Sequence, residues 1–154
     1  MKRTILLLVT ALLLGGCGHS FYAATPKGFV ELKDQEDRGY DYRATTADGL
    51  VIAVREIDND PEGPIEFWSR AIQNTMRQRG GYALLDKRDV TNVDGLAGRQ
   101  LRFGHDEASK PDLYYVTLYV TPKKLYLLEA GGSKQQMESH EAQLDWSVKN
   151  FRVK

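Results

Sequence analysis

Apolar positions change their period several times along this chain, and each change marks an element. Ile5 to Leu14 is apolar apart from Thr10 and has no period at all. Further on the pattern alternates, as a half-buried strand requires. Phe29 to Leu32 and Tyr40 to Thr45 read as strands, the second with Tyr40, Tyr42 and Ala44 on one face. Asp48-Gly49 is a hairpin turn signal, because glycine tolerates positive φ. Leu50 to Ile57 then reads as a strand rich in β-branched residues. Residues 58–64 form a polar loop punctuated by prolines.

From Pro64 the period becomes helical. Phe67, Trp68, Ala71, Ile72, Thr75 and Met76 recur at the spacing of one helix face. Pro64 is tolerated in a first turn and Glu66 favours its positive end. Arg77 and Arg79 suit the last turn, and Gly80-Gly81 stops it. The pattern predicts a helix over 64–79, about 24 Å long.

Extended segments return at Tyr82–Asp86 and Asp89–Val93, followed by the turn signal Asp94-Gly95. Ala97 to Gly104 alternates Arg99, Leu101 and Phe103 against Gly98, Gln100 and Arg102. After a polar loop at 105–112, Leu113–Thr121 reads as a strong strand of Tyr, Val and Thr. Pro122-Lys123-Lys124 turns the chain, and Leu125–Ala130 returns. Gly131-Gly132 is expected to break that strand. Ser133 with Gln136 is a capping-box signature and predicts a helix over 133–147, with Met137, Leu144, Val148 and Phe151 on one face. Phe151–Val153 closes as a short strand. Three strands, a helix, a run of further strands and a helix, joined mainly by hairpins, predict an α+β fold: a largely antiparallel sheet covered by two main helices.

The opening run is too short to be a stable bilayer span. It has ten residues, whereas a spanning helix needs about 20. Lys2 and Arg3 precede it, and Leu14-Gly15-Gly16-Cys17 follows. This arrangement resembles a bacterial lipoprotein signal with its lipobox. The resemblance implies removal of residues 1–16, acylation of Cys17 and anchoring through several fatty chains. The alternative is a plain secretory signal with a buried cysteine. Gly18 stands where an inner-membrane retention signal carries Asp. The same resemblance therefore implies the outer membrane, facing the periplasm. Residues 17–28 are expected to be a lipidated N-terminus and tether, and residues 29–154 a single domain. The eleven residues from Gly18 to Gly28 span about 36 Å if extended.

Composition narrows the class. Lys+Arg and Asp+Glu both number 21. Removing Lys2 and Arg3 leaves 19 against 21, a formal charge of −2. That balance excludes a generic nucleic-acid binder, which needs a basic surface. Cys17 is the only cysteine, so neither a disulfide framework nor a multi-cysteine metal cluster is available. Hydrophobic and charged shares of 42% and 27% are those of a folded rather than a disordered chain.

A second resemblance rests on turns and apolar spacings. Thr25-Pro26-Lys27-Gly28-Phe29 opens the domain. Asp48-Gly49 leads the strand Leu50–Arg55. The first helix ends in Gly80-Gly81-Tyr82. Gly95-Leu96-Ala97-Gly98-Arg99-Gln100-Leu101 precedes an aromatic strand, and a late helix runs into Ser147-Val148-Lys149-Asn150-Phe151. The layout resembles the PsbP-like fold of photosystem PsbP proteins, a Ran-GTPase release factor and bacterial DcrB-type lipoproteins. The resemblance covers about residues 25–153. It implies a non-enzymatic docking or accessory role and brings no shared catalytic residues.

Candidate chemistry is sparse. Asp58, Asp60, Glu62 and Gly63 match the first part of a calcium-loop spacing, but Ser69 stands where the bidentate Glu is needed. A solvated acidic loop is expected instead. His105 lies in a polar loop and His140 on the expected exposed face of the second helix; neither has a metal-ligand partner at i+4. Ser133 reads as a helix cap, and no nucleophile elbow or phosphate-binding glycine motif occurs. Tyr115 and Tyr119 share one strand face, either under a helix or as an aromatic platform, with core packing expected. Trp68 and Trp146 are expected to anchor the two helices. Lys123-Lys124 and Arg77/Arg79 are small basic clusters, read as a solvated turn and a helix-end charge effect. The chain is therefore expected to be a membrane-anchored envelope lipoprotein that binds a protein partner without catalysis and without a cofactor or resident metal. An envelope hydrolase and a carrier of a small ligand or divalent ion are the other readings.

Overall fold

Hairpin after hairpin builds one seven-stranded antiparallel sheet in the computed structural model. It describes residues 18–33, 39–107 and 110–154, with the backbone alone at Glu107. Residues 1–17, which include the apolar opening run and Cys17, lie outside the described residues. In chain order the elements are β1 (Phe21–Tyr22), β2 (Val30–Glu31), β3 (Tyr42–Thr45), β4 (Val51–Asp58), α1 (Ile65–Gly80), β5 (Ala83–Thr91), β6 (Ala97–Glu107), β7 (Lys110–Val120), β8 (Lys124–Ser133), α2 (Lys134–Ser139), α3 (Glu141–Asn150) and β9 (Arg152–Val153). The large sheet has the order β2-β3-β4-β8-β7-β6-β5, and β1 pairs with β9 separately. The expected α+β architecture is observed.

Alternation sends each strand's two side-chain sets to opposite helices. Leu101, Phe103, Val116, Leu118, Leu125 and Leu127 form the core under α1, against Ile65, Trp68, Ile72 and Met76. On the other face Ile52, Tyr115 and Ala130 meet Met137 of α2 and Leu144 of α3. The two turn glycines read from the sequence do what they were expected to do: Gly49 and Gly95 have φ of 95° and 82°. Gly81 ends α1 in the left-handed region, where Tyr82 donates back to the Met76 carbonyl at 3.2 Å.

Four features differ from the sequence reading. Gly131 and Gly132 do not break β8; they sit inside it. A Cβ on Gly131 would stand 2.9 Å from the Tyr114 ring, so the glycine makes room for an aromatic side chain on the neighbouring strand. The polar stretch 105–112 belongs mostly to β6 and β7, paired out to Glu107 and Lys110. The second helix is divided at His140, whose φ of −111° lies outside the helical range. Both halves of the predicted capping box at Ser133 form, and α2 is its helix. Trp146 is 43% exposed rather than a core anchor, because the α3 face carrying Leu144 is the one turned to the sheet.

Residues 18–28 are packed as a strap, not held off as a spacer. Phe21 is buried, stacked 5.5 Å from Phe151 and edge-on to Tyr126. The Ser20 N–H donates to Glu56 Oε2 at 3.0 Å, its hydroxyl pairs with the Tyr126 hydroxyl at 2.7 Å, and its carbonyl accepts from the Lys154 N–H at 2.8 Å. Further along, the Tyr42 hydroxyl donates to Thr25. The apolar Phe21 and the backbone groups of β1 find partners only on the domain, and that selects docking over extension. The boundary drawn at residue 28 falls inside the folded unit.

Glu56 makes this docking pH-dependent. Burial works against its charge, yet the Ser20 bonds and Lys124 outweigh it and hold its carboxyl below the usual carboxylate range. A depressed folded pKa contributes stability above the unfolded value of about 4.3 and loses it as pH falls through the lower folded value. Below about pH 4, amide exchange at residues 20–22 should therefore rise before the sheet core responds. Glu56→Gln should show raised exchange there already at neutral pH. Exchange at 20–22 that tracks the core at every pH would contradict the assignment.

Candidate functional site

The two sheet faces carry different polar chemistry. Beneath α3, Gln100 and Thr117 are directly paired across β6 and β7, and Gln100 Nε2 donates to Thr117 Oγ1 at 3.0 Å. Arg102 Nε donates to Gln100 Oε1 at 2.7 Å. Its guanidinium lies over the Tyr115 ring at 4.3 Å, bonds Glu141 at 2.8 Å and faces Asp145 at 3.5 Å. A nearly buried guanidinium needs such partners to offset its desolvation. Here both carboxylates come from α3, so Arg102 clamps that helix to the sheet. Beside it an apolar cavity of about 30 Å³ is walled by Ala23 and Ala24 of the strap, Leu144 and Val148 of α3, and Ile52 of the sheet. That volume holds a water or two. It is far below the roughly 300–1,000 Å³ of small-molecule sites.

The α1 face is only partly covered. Across β3, β4, β8 and β7, Arg43, Ala53, Glu129 and Val116 are cross-strand neighbours, as are Arg55, Leu127 and Leu118. Cross-strand neighbours share a face. α1 packs on the Leu118 and Val116 side and leaves the β3–β4 side without a helix among the described residues. There Arg55 Nη2 bonds Glu129 Oε1 at 2.5 Å, and its guanidinium lies 4.7 Å over the Tyr40 ring. Arg43 lies 5.8 Å from the same ring. Burial, with Glu129 and Tyr40 beside it, pushes the Tyr114 phenol well above its ordinary range. The Arg55 guanidinium is held charged: burial opposes this, but the bond to Glu129 prevails. The result is a patch of two arginines and two tyrosines over one nearly buried carboxylate. It offers fixed charge, stacking surface and hydrogen-bond donors. It contains no nucleophile set against a base.

The residues singled out from the sequence do not converge. Asp58 bonds Lys124 at 2.8 Å, and that pairing holds the Lys124 ammonium above its usual range. The acidic loop is organised instead by Asn59, which sequence reasoning missed. Its side chain accepts from the Gly63 N–H and the Trp68 indole and donates to the Thr121 carbonyl, at 2.8–2.9 Å. Trp68 is thereby the helix anchor expected of it. His105 packs at a tilt against the Tyr82 ring, on an open groove of about 590 Å³ that also touches Leu85 and Pro111. His140 is not on an exposed face: it packs edge-on against Phe29 and faces Asp48 at 3.5 Å. Ser133 caps α2. Tyr115 and Tyr119 are core residues. Tyr119 is fully buried and donates to the Val148 carbonyl, and burial pushes its phenol up to about 12. Arg77 and Arg79 are exposed in the last turn of α1. Among the described residues no three His, Cys, Asp or Glu side chains converge as a metal site, and no helix is long and apolar enough to cross a membrane.

No protein-family model and no curated protein matches the chain. Solved structures do. A cyanobacterial PsbP (CyanoP) from Synechocystis sp. PCC 6803 matches at 16% identity and a TM-score of 0.55, over 91% of this chain and 96% of that one. LpqN of Mycobacterium tuberculosis, described as involved in cell envelope biogenesis, matches at 14% identity and a TM-score of 0.69, over 91% of this chain and 87% of that one. At these identities the likeness is one of fold. The fold is PsbP-like, as the turns and apolar spacings implied.

Proposed function

We propose that this chain is an envelope lipoprotein, held by lipid on Cys17, whose PsbP-like domain serves as a non-catalytic accessory module for a protein partner. The observation that carries the reading is the patch of Tyr40, Arg43, Arg55 and Tyr114 on the sheet face that α1 leaves open. Tyrosine and arginine are the residue types that dominate protein interfaces. Both combine large contact area with directed polar groups, and tyrosine, with two side-chain torsions, loses little freedom on binding. The ion pair with Glu129 pre-sets Arg55, so a partner would meet an ordered surface. The envelope is supported by the lipobox-like Leu14-Gly15-Gly16-Cys17 and by the described role of LpqN. Gly18, standing where an inner-membrane retention signal carries Asp, supports outer-membrane attachment facing the periplasm. Restriction to a membrane surface raises the module's effective concentration near membrane-borne partners.

A photo-crosslinking residue at Arg43, compared with one at Arg70 on α1, tests the assignment in whole cells. A discrete protein adduct from position 43, absent from position 70 and lost with Arg55→Glu, is expected. Membrane-located protein that yields no adduct from position 43 would refute a docking role for this face.

A further inference from the structure

The strap leaves almost no chain between the proposed lipid and the fold. Ser20 is already tied by three bonds to Glu56, Tyr126 and Lys154. The Lys154 ammonium also bonds the His19 carbonyl at 3.0 Å, and the His19 ring stacks on Phe21 and faces Asp41. Three Cα–Cα steps separate Cys17 from Ser20, about 11 Å at full stretch. The eleven-residue tether expected from the sequence is thereby shortened to the few residues before Ser20.

Where the chain enters defines which end of the sheet is near the anchor. Glu56 is two residues from the end of β4, and Tyr126 is the third residue of β8. Lys124 binds Glu56 and Asp58 at that same end. The turn after β7, the Asn92–Leu96 turn between β5 and β6, and the loop after β4 all lie there. The β6–β7 hairpin at Glu107 and Lys110 lies at the other end. Eleven residues of β7 run between them, about 36 Å.

We propose that the domain stands upright on the bilayer, with the turn-bearing end around Lys123 against the lipid headgroups and the Lys110 hairpin pointing away. This rests on acylation of Cys17 as read above. Charge does not set the pose: Lys123, Lys149, Arg152 and Lys154 are interspersed with Asp58, Asp60, Glu62 and Asp94 at the same end. The short junction sets it, so the pose is insensitive to salt. The Tyr40–Arg55 patch begins beside Asp41, and its partner is then met close to the membrane plane.

The test uses the full lipidated chain in phosphatidylethanolamine/phosphatidylglycerol vesicles that carry a headgroup-attached quencher. A fluorophore is placed on Lys123→Cys or Lys110→Cys; acylation of Cys17 leaves the new cysteine as the sole thiol. The label at 123 should be quenched several-fold more than that at 110, equally at low and high salt. Insertion of a flexible Gly-Ser segment after Cys17 should erase the difference. Equal quenching of both labels in floating protein overturns the upright pose while leaving the anchor intact. Failure to float with the vesicles overturns the anchor and the pose together.

Discussion

Phe151→Ala is expected to lower folding stability by about 3–5 kcal/mol, the range for emptying a buried aromatic site. Phe151 is fully buried and stands at the meeting point of three aromatic rings: Phe21 at 5.5 Å, Tyr119 at 5.5 Å and Tyr126 at 5.7 Å. Those rings come from the strap and two central strands, so no single element can move in to fill the space. Typical domains have only about 5–15 kcal/mol to lose. The variant should show a much lower urea midpoint with an unchanged slope. The strap should also become sensitive to protease, because Phe21 loses its stacking partner. Phe151→Leu retains most of the volume and should lose less. A loss below about 1 kcal/mol for the alanine variant would mean that the strap does not share this core.

Cys17→Ala is expected to move the protein from the membrane fraction to the soluble fraction. Each buried methylene contributes about 0.8 kcal/mol, and one acyl chain holds only marginally. Several chains together hold essentially permanently. The variant has no acceptor for any of them. No helix among the described residues offers a substitute span, and the basic clusters supply two charges each, which salt largely screens. Fractionation under a high-salt wash reads the outcome. A variant that stays with the membrane would show that some other contact holds it there.

The hairpins and α1 were legible because their signals are local. A glycine that must take positive φ declares itself beside the residue it turns, as at Gly49 and Gly95. The period of Trp68, Ile72 and Met76 declares a helix that runs over 65–80 rather than 64–79. What stayed hidden is polar chemistry satisfied at long range. Asn59, Asn92, Gln100, Arg102 and Glu129 are all buried, although their type reads as solvent-facing. Asn92 shows why. It accepts from Asp94 and Leu96 within its own turn, yet donates to the Phe151 carbonyl far along the chain. Only the closed fold supplies that last partner. Gly131 misled for the opposite reason: its missing side chain serves the Tyr114 ring across the sheet, not a bend in the backbone. The Tyr40–Arg55 patch had no signature in the sequence, since its members meet only through the pairing of β3, β4, β8 and β7.

On the function proposed above, one modified sulfur holds the folded unit at its membrane. Mass analysis of the N-terminal peptide from protein purified out of its own membranes addresses it most directly. A peptide that begins at Cys17 and carries a diacylglyceryl thioether is expected. A peptide that retains Met1, or one that begins at Cys17 with a free thiol, would contradict it.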